Sequence, residues 1–376
     1  MIIGLLKENE GENRVALSPE SVAALIKMKT RVMVERGAGL RAYYSDEEYL
    51  QAGGEVVSCD EIYAQAQLLV KINPPLDPES TKIRQGVVLV SMLNALSSKD
   101  TVAELCQKGL TSFGLEVIPR TTRAQAMDIL SSMATVSGYR AVLEAALRLP
   151  RFFPMFMTAA GTITPARVLI LGAGVAGLQA LAIARKLGAV VEVFDVRAAV
   201  KEEVQSLGGK FVEVEGAADD KAAGGYAVEQ SEEFRQRQAA VIHEHAVKSD
   251  VIICTAQIPG KKAPLLIRTA TVEAMRKGSV IIDLAASTGG NCEVTRDTQE
   301  IVHQGITIIG QSAYPSGMPS DASKMFGKNV VNFLRLLISP EGELQLNFED
   351  DIVKGTCVTH QGQIVNERIK NYHQQS

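Results

Sequence analysis

The segment 119–132, PRTTRAQAMDILSS, gathers two arginines (Arg120, Arg123), Gln125, Asp128, Ser131 and Ser132. It holds no metal-ligand spacing, no nucleophile beside a base and no phosphate-binding glycine loop. Such a set can orient a polar ligand through hydrogen bonds and charge, while the reactive atoms come from elsewhere. Thr122-Arg123-Ala124-Gln125 reads as a capping box. A helix starting there places Gln125, Asp128 and Ser131/Ser132 on one face, with Ala126, Met127, Ile129, Leu130 and Met133 over much of the rest. Any surface helix divides itself this way, so the pattern leaves Gln125 as either a cap or a ligand contact.

The second group is Gly172-Ala173-Gly174-Val175-Ala176-Gly177, a G-x-G-x-x-G run. An apolar strand pattern precedes it and a helical pattern follows, and a second strand ends at Asp195 about twenty residues on. Gly172 serves the tight turn, Gly174 lets the backbone approach a pyrophosphate, and Gly177 lets helix and strand pack closely. A carboxylate at Asp195 accepts from ribose hydroxyls and repels a 2′-phosphate, which favours NAD over NADP. Arg197 and Val196 follow it; an arginine there can hold a 2′-phosphate, or, placed by strand alternation on the same side as Asp195, it can flank the adenine. Gly224-Gly225-Tyr226 lies between acidic flanks and reads either as a mobile flap or as a plain solvated loop.

These groups need elements to place them. Apolar strand patterns alternate with capped helical ones: MIIGLL, then a helix opened by Ser18-Pro19-Glu20; RVMVERGAG, then SDEEYLQAG; LLVKI; VVLVSML, then SKDTVAELCQKG; and TSFGLEVI. A long helix begins at SGYRAV, and after TAAGTITP the alternation restarts with ARVLILGAG and VVEVFDV, continuing through VIICTA, SVIIDLA and ITIIGQS. The expectation is an α/β protein of two Rossmann-like parallel-sheet domains separated by a cleft. Residues 1–136 and 320–376 form the first domain and residues 137–319 the NAD-binding one. The helix in SDASKMFGKNVVNFLRLL crosses back to the first domain, and the chain from Gly355 on forms a hairpin with a frayed end.

Composition agrees. A chain of 376 residues, 46% hydrophobic and 22% charged, suits two folded domains. A net charge of −4 without a Lys/Arg block argues against nucleic acid. Five cysteines without ligand spacing read as reduced, buried thiols, and no metal site is expected. The apolar run Val168–Ala184 is shorter than the roughly 20 residues of a membrane helix and is broken by glycines.

KENEGENRVALSPE, PRTTRAQAMDILSS, GAGVAGLQA, FDVRAAVKEEVQSLGGKF, GGYA, IPGKKAPLLI, GSVIIDLAASTGGNC and KNVVNFLRLL are similar to stretches of the NAD(H)-binding component of proton-translocating NAD(P) transhydrogenases. The resemblance runs from Met1 to about Thr359. It implies direct hydride exchange between NAD(H) held here and NADP(H) held by a partner component. Membrane-spanning subunits would couple that exchange to proton flow. It further implies a homodimer, peripheral on the cytoplasmic face of the inner membrane. By the same resemblance, Arg120 positions the nicotinamide end of NAD(H), Asp128 orients Arg120 or the carboxamide, and Ser131 bonds the carboxamide. Gln125 reaches toward the ribose of the partner's NADP(H), and Tyr226 closes over NAD(H) with Gln238 nearby. Val175, Gly225 and the Ala256–Gln257 turn line the nucleotide. Gln257 stands where the family usually has leucine, and Gly317 where it usually has arginine.

Alanine dehydrogenase shares this framework and is the alternative. Its substrate-holding arginine and lysine have counterparts in Arg14 and Lys71, but its acid/base histidine is replaced by Asn94, which cannot take up a proton. A protein that only senses NAD is a third reading, which the intact Arg120, Gln125 and Asp128 set disfavours.

Overall fold

The computed structural model describes residues 1–75, 79–214, 231–258 and 260–375. The chain divides into two compact units, residues 1–133 with 315–376, and residues 134–314.

The first unit is built on β1 (Ile2–Leu5), β2 (Arg31–Glu35), β3 (Glu55–Val57), β4 (Leu68–Val70), β5 (Val88–Ser91) and β6 (Thr111–Gly114). All six are parallel, in the spatial order 3-2-1-4-5-6. Central strands such as IIGL and VLVS are apolar on both faces because helices cover both sides of a parallel sheet. Three of the crossover helices start where the sequence supplies a cap: Ser18 before Pro19, and full capping boxes at Ser45/Glu48 and Ser58/Glu61. The sheet order reverses between β1 and β4, the position where open α/β sheets leave a ligand crevice.

The second unit repeats the plan after a small hairpin, β7 (Phe156–Thr158) with β8 (Gly161–Ile163). Its sheet holds β9 (Arg167–Leu171), β10 (Val190–Phe194), β11 (Lys210–Val212), β12 (Val251–Cys254), β13 (Val280–Asp283), β14 (Gln299–His303) and β15 (Ile306–Gly310). Here β9 takes the first place, and β11-β10-β9-β12-β13-β15 is again a 3-2-1-4-5-6 order, edged by antiparallel β14. The switch point lies between β9 and β12, directly at the glycine run.

The helix in SDASKMFGKNVVNFLRLL spans Pro319–Leu334 and belongs to the first unit, where it packs on the Pro19–Ile26 helix. TAAGTITP begins inside the β7–β8 hairpin, which spans Phe156–Ile163. Two expectations need correction. The C-terminal hairpin (Cys357–His360 with Gln363–Ile364) is followed not by a frayed end but by the helix Glu367–Gln375, anchored by fully buried Ile369. Finally, no single helix starts at Thr122. A 3-10 turn covers Thr122–Met127, Asp128 leaves helical geometry at ψ 92°, and an α-helix then runs Ile129–Arg148. Among the described residues no helix is long and apolar enough to cross a membrane.

Candidate functional site

At the switch point of the second unit, β9 runs into Gly172–Gly177 and the Val175–Lys186 helix. Gly172 has φ +106°, which a side chain rarely adopts. A Cβ on Gly177 would lie 1.9 Å from the Gly172 carbonyl oxygen, so only glycine lets the helix start this close to the strand. A Cβ on Gly174 meets nothing within 4 Å among the described residues. Gly174 therefore fronts open space, beside a helix whose N-cap has no side-chain bond. The first-turn amides lack intrahelical acceptors and form an anion-binding end. Close packing where a Cβ would clash, and space where it would not, is the cradle a dinucleotide pyrophosphate fits.

Asp195 follows β10 and turns its carboxylate back onto this loop. The Ala173 amide donates to Oδ2 at 2.7 Å, and Arg197 donates from its backbone (2.8 Å), Nε (2.9 Å) and Nη2 (2.7 Å). Arg197 thus grips Asp195 itself. Val175 is exposed at 42%, Val196 and Ala256 are half-buried, and Gln238 lies on the Glu232–Ala246 helix. Gly225 and Tyr226 fall outside the described residues.

Three residues that shape this loop were not among the site residues expected from the sequence, although Asp283 and Asn291 lie in the GSVIIDLAASTGGNC stretch. Thr255, just past β12, donates its hydroxyl toward the Gly172 carbonyl (2.9 Å). Asn291 is fully buried: its Oδ1 accepts from the Ala256 amide (3.0 Å), and its Nδ2 donates to the carbonyls of Ala256 (2.9 Å) and Pro264 (2.8 Å). Asp283 in turn accepts from the amides of Ala285, Asn291 and Cys292 and from Thr295 Oγ1. Burial holds its carboxyl above the ordinary range, and those donors offset the rise only in part. Gln257 donates its side-chain amide to the Leu284 carbonyl at 3.0 Å.

In the first unit the Arg120–Ser131 set lies past the carboxyl end of β6. Asp128 is the cap of the long helix: Oδ1 accepts from the Ser131 amide (2.9 Å) and Oδ2 from the Ser131 hydroxyl (2.6 Å). The predicted shared helix face is therefore broken, but Asp128 and Ser131 are in direct contact. The turn before it is capped by Thr121, whose Oγ1 accepts from the Ala124 amide, one residue earlier than expected. Ala124 and Met127 anchor the turn inward, leaving Arg120 and Gln125 exposed.

The first unit's own switch point is filled from within. Lys71 is fully buried, and its Nζ donates to Asn9 Oδ1 (2.7 Å) and Glu79 Oε2 (2.6 Å). Arg14 lies doubly bonded to Glu12. Each of the two cations with alanine dehydrogenase counterparts thus faces an internal carboxylate. Glu8, beside them, accepts from the Ile72 (2.6 Å) and Asn73 (3.2 Å) amides, and burial pushes its carboxyl up to about 7. Asn94 stands exposed at φ +50° on a turn whose flanking amides, Leu93 and Ala95, donate to Glu116.

Comparison with known proteins matches residues 4–137 to the alanine dehydrogenase/PNT N-terminal domain and residues 141–367 to the C-terminal domain of the same family. An NAD(P) transhydrogenase alpha-subunit polypeptide of Rhodospirillum rubrum is 46% identical, covering 98% of this chain and 99% of its own. The NAD(P) transhydrogenase subunit alpha of Haemophilus influenzae is 42% identical over 96% of this chain and 71% of its own. Alanine dehydrogenase of Mycolicibacterium smegmatis is 28% identical over 98% of this chain and 96% of its own. A transhydrogenase crystal structure from Sinorhizobium meliloti superposes with a TM-score of 0.89 at 40% identity, covering 97% of this chain and 100% of that one. The chain therefore belongs to the alanine dehydrogenase/PNT family, among its NAD(P) transhydrogenase alpha subunits.

Proposed function

We propose that this subunit holds NAD(H) and exchanges hydride directly with NADP(H) held on a partner component. Membrane-spanning subunits would couple the exchange to proton translocation. The observation that carries the reading is the glycine cradle closed by Asp195: a helix N-terminus open at Gly174, with a carboxylate from the end of the neighbouring strand that suits ribose hydroxyls and not a 2′-phosphate. Bound NAD(H) supplies the hydride-carrying carbon. This chain's residues supply placement. Gly172, Gly174 and Gly177 seat the pyrophosphate, and Asp195 takes the adenosine ribose in exchange for part of its Arg197 contact. Val175, Val196, Ala256 and Gln257 line the nucleotide, with Gln238, Gly225 and Tyr226 as further contacts. Arg120, Asp128 and Ser131 hold the nicotinamide carboxamide end, and Gln125 meets the partner's nucleotide.

Direct exchange asks for two carbons about 3–3.5 Å apart, aligned and dry, and for no general acid or base. A segment of orienting groups with no proton-transfer residue suits that demand. The relatives' names support the partner subunits, and the subunit is placed by this reading as a homodimer, peripheral on the cytoplasmic face of the membrane.

The test mixes the purified protein with a transhydrogenase NADP(H)-binding component and follows hydride exchange, with alanine plus NAD⁺ assayed separately. Exchange with the partner and no alanine turnover is expected. Absence of exchange with a competent partner sinks the proposal, and alanine turnover establishes the alternative in its place.

A further inference from the structure

The 3-10 turn that carries Gln125 is gripped by a helix the proposed reaction does not otherwise use. Ala126, the residue after Gln125, is exposed, and backbone carbonyls on exposed turns can be satisfied by water. Its carbonyl instead accepts from two carboxamides of the Pro319–Leu334 helix, Asn329 Nδ2 at 2.8 Å and Asn332 Nδ2 at 3.0 Å. Three residues apart, the two share one helix face. The turn's other attachments are Arg123, doubly bonded to Asp350 (2.6 and 2.7 Å) and also paired with Asp351, and the Asp128 cap.

Packing alone does not account for Asn329. It is 8% exposed, and its Oδ1 has no hydrogen-bond partner among the described residues. A buried acceptor left unmatched costs about 1–3 kcal/mol, and an apolar side chain of similar shape avoids that cost. Reversing the carboxamide gives no relief, because it sets oxygen against the Ala126 oxygen. What asparagine retains at this position is a donor aimed at one carbonyl, the one directly after Gln125.

We infer that Asn329 and Asn332 are positioning residues for Gln125, acting through the Ala126 carbonyl to fix where that side chain meets the second nucleotide. This rests on the proposed role of Gln125. A 3-10 turn has poorer internal hydrogen bonds than an α-helix and depends more on outside anchors. Misplacement by about 1 Å at a hydride-transfer site costs on the order of a hundredfold in rate.

The variants are Asn332→Leu, Asn329→Leu and the pair, in the full chain. Amide hydrogen exchange over residues 121–128 reads the positioning itself, and hydride exchange with the NADP(H)-binding component reads its consequence. Faster amide exchange confined to that turn is expected, with NADH affinity held within about twofold and kcat lowered about tenfold for Asn332→Leu, further for the pair. Asn332→Gln, which keeps the donor, should recover part of the rate. Asn332 is only partly buried, so its variant keeps the fold even where Asn329→Leu does not. Unchanged amide exchange, or unchanged kcat with NADH binding intact, overturns the inference. Failure of the unaltered protein to exchange hydride sinks the functional reading instead, and amide exchange still decides whether the asparagines hold the turn.

Discussion

In the proposed reading, Asp195 and its bonded neighbour Arg197 carry the nucleotide choice. Asp195 holds the arginine through two guanidinium bonds, and its carboxylate is the group that would accept from ribose hydroxyls in the proposed site. Asp195→Ser is expected to weaken NADH binding about tenfold to a hundredfold, the range for one charge-assisted contact. It should improve NADPH binding, because the carboxylate that repels a 2′-phosphate is gone. Fluorescence titration of both nucleotides checks this, and equal losses for both would show that Asp195 does not discriminate. Gln125→Asn belongs to the same scale: hydride exchange should fall strongly while NADH affinity stays put. A large loss of NADH affinity would assign Gln125 to the other nucleotide. Glu8 gives a pH signature. Its carboxyl sits near 7 when folded, because burial outweighs the Ile72 and Asn73 amides and Lys71, and near 4.5 when unfolded. Between those values the folded state binds the extra proton, so this group's contribution makes stability fall as pH rises from about 4.5 to about 7. Thermal unfolding of Glu8→Gln across that window should show a flatter dependence than the parent, and an identical slope would remove Glu8 as its source.

Elements translate such contacts into geometry. The glycine-loop helix begins where it does because Gly177 has no side chain: the Gly172 carbonyl occupies the place of a Cβ. Gly177→Ala must push strand and helix apart, an overpacking cost of about 1–3 kcal/mol. NADH binding should fall more than stability does, since the amides that meet the pyrophosphate move with the helix. Calorimetric titration beside a melting curve measures both, and an unimpaired nucleotide site would refute the close-packing role. The Ile129–Arg148 helix shows the opposite case. Its start was hidden because Thr122–Ile129 has helical spacing throughout, yet Asp128 accepts from Ser131 and ends the preceding turn. A short polar side chain competing for backbone amides is what makes aspartate a cap and not a helix interior.

At the scale of the molecule, two units share one strand order and differ at the switch point. In the second unit it is open at Gly174; in the first, the strand ends between β1 and β4 carry Lys71, Glu8 and Glu79 bonded among themselves or to backbone. NADH at a hundred times its dissociation constant should therefore stabilise the unit that binds it by about 2.7 kcal/mol, while NADPH at equal concentration gives much less. Differential scanning calorimetry reads this as a shift of one unfolding transition, and equal shifts from both nucleotides would contradict NAD selectivity.

The Ser58 helix appears only in the structure, whereas the sequence by itself determined the α/β alternation, the helix starts at Ser18 and Ser45, and the glycine cradle. Each of these is local: capping and strand–turn–helix geometry are settled within a few residues of chain. The family followed from the same short stretches. Only the tertiary structure decided that Thr255 closes on Gly172 across 83 residues, that Asn291 reaches Ala256 across 35, and that Asn329 grips Ala126 across 203. These are polar side chains buried against backbone from distant segments. A hydrogen bond between groups brought together by folding leaves no periodicity in the chain, so nothing in the spacing of PRTTRAQAMDILSS discloses the helix that holds it.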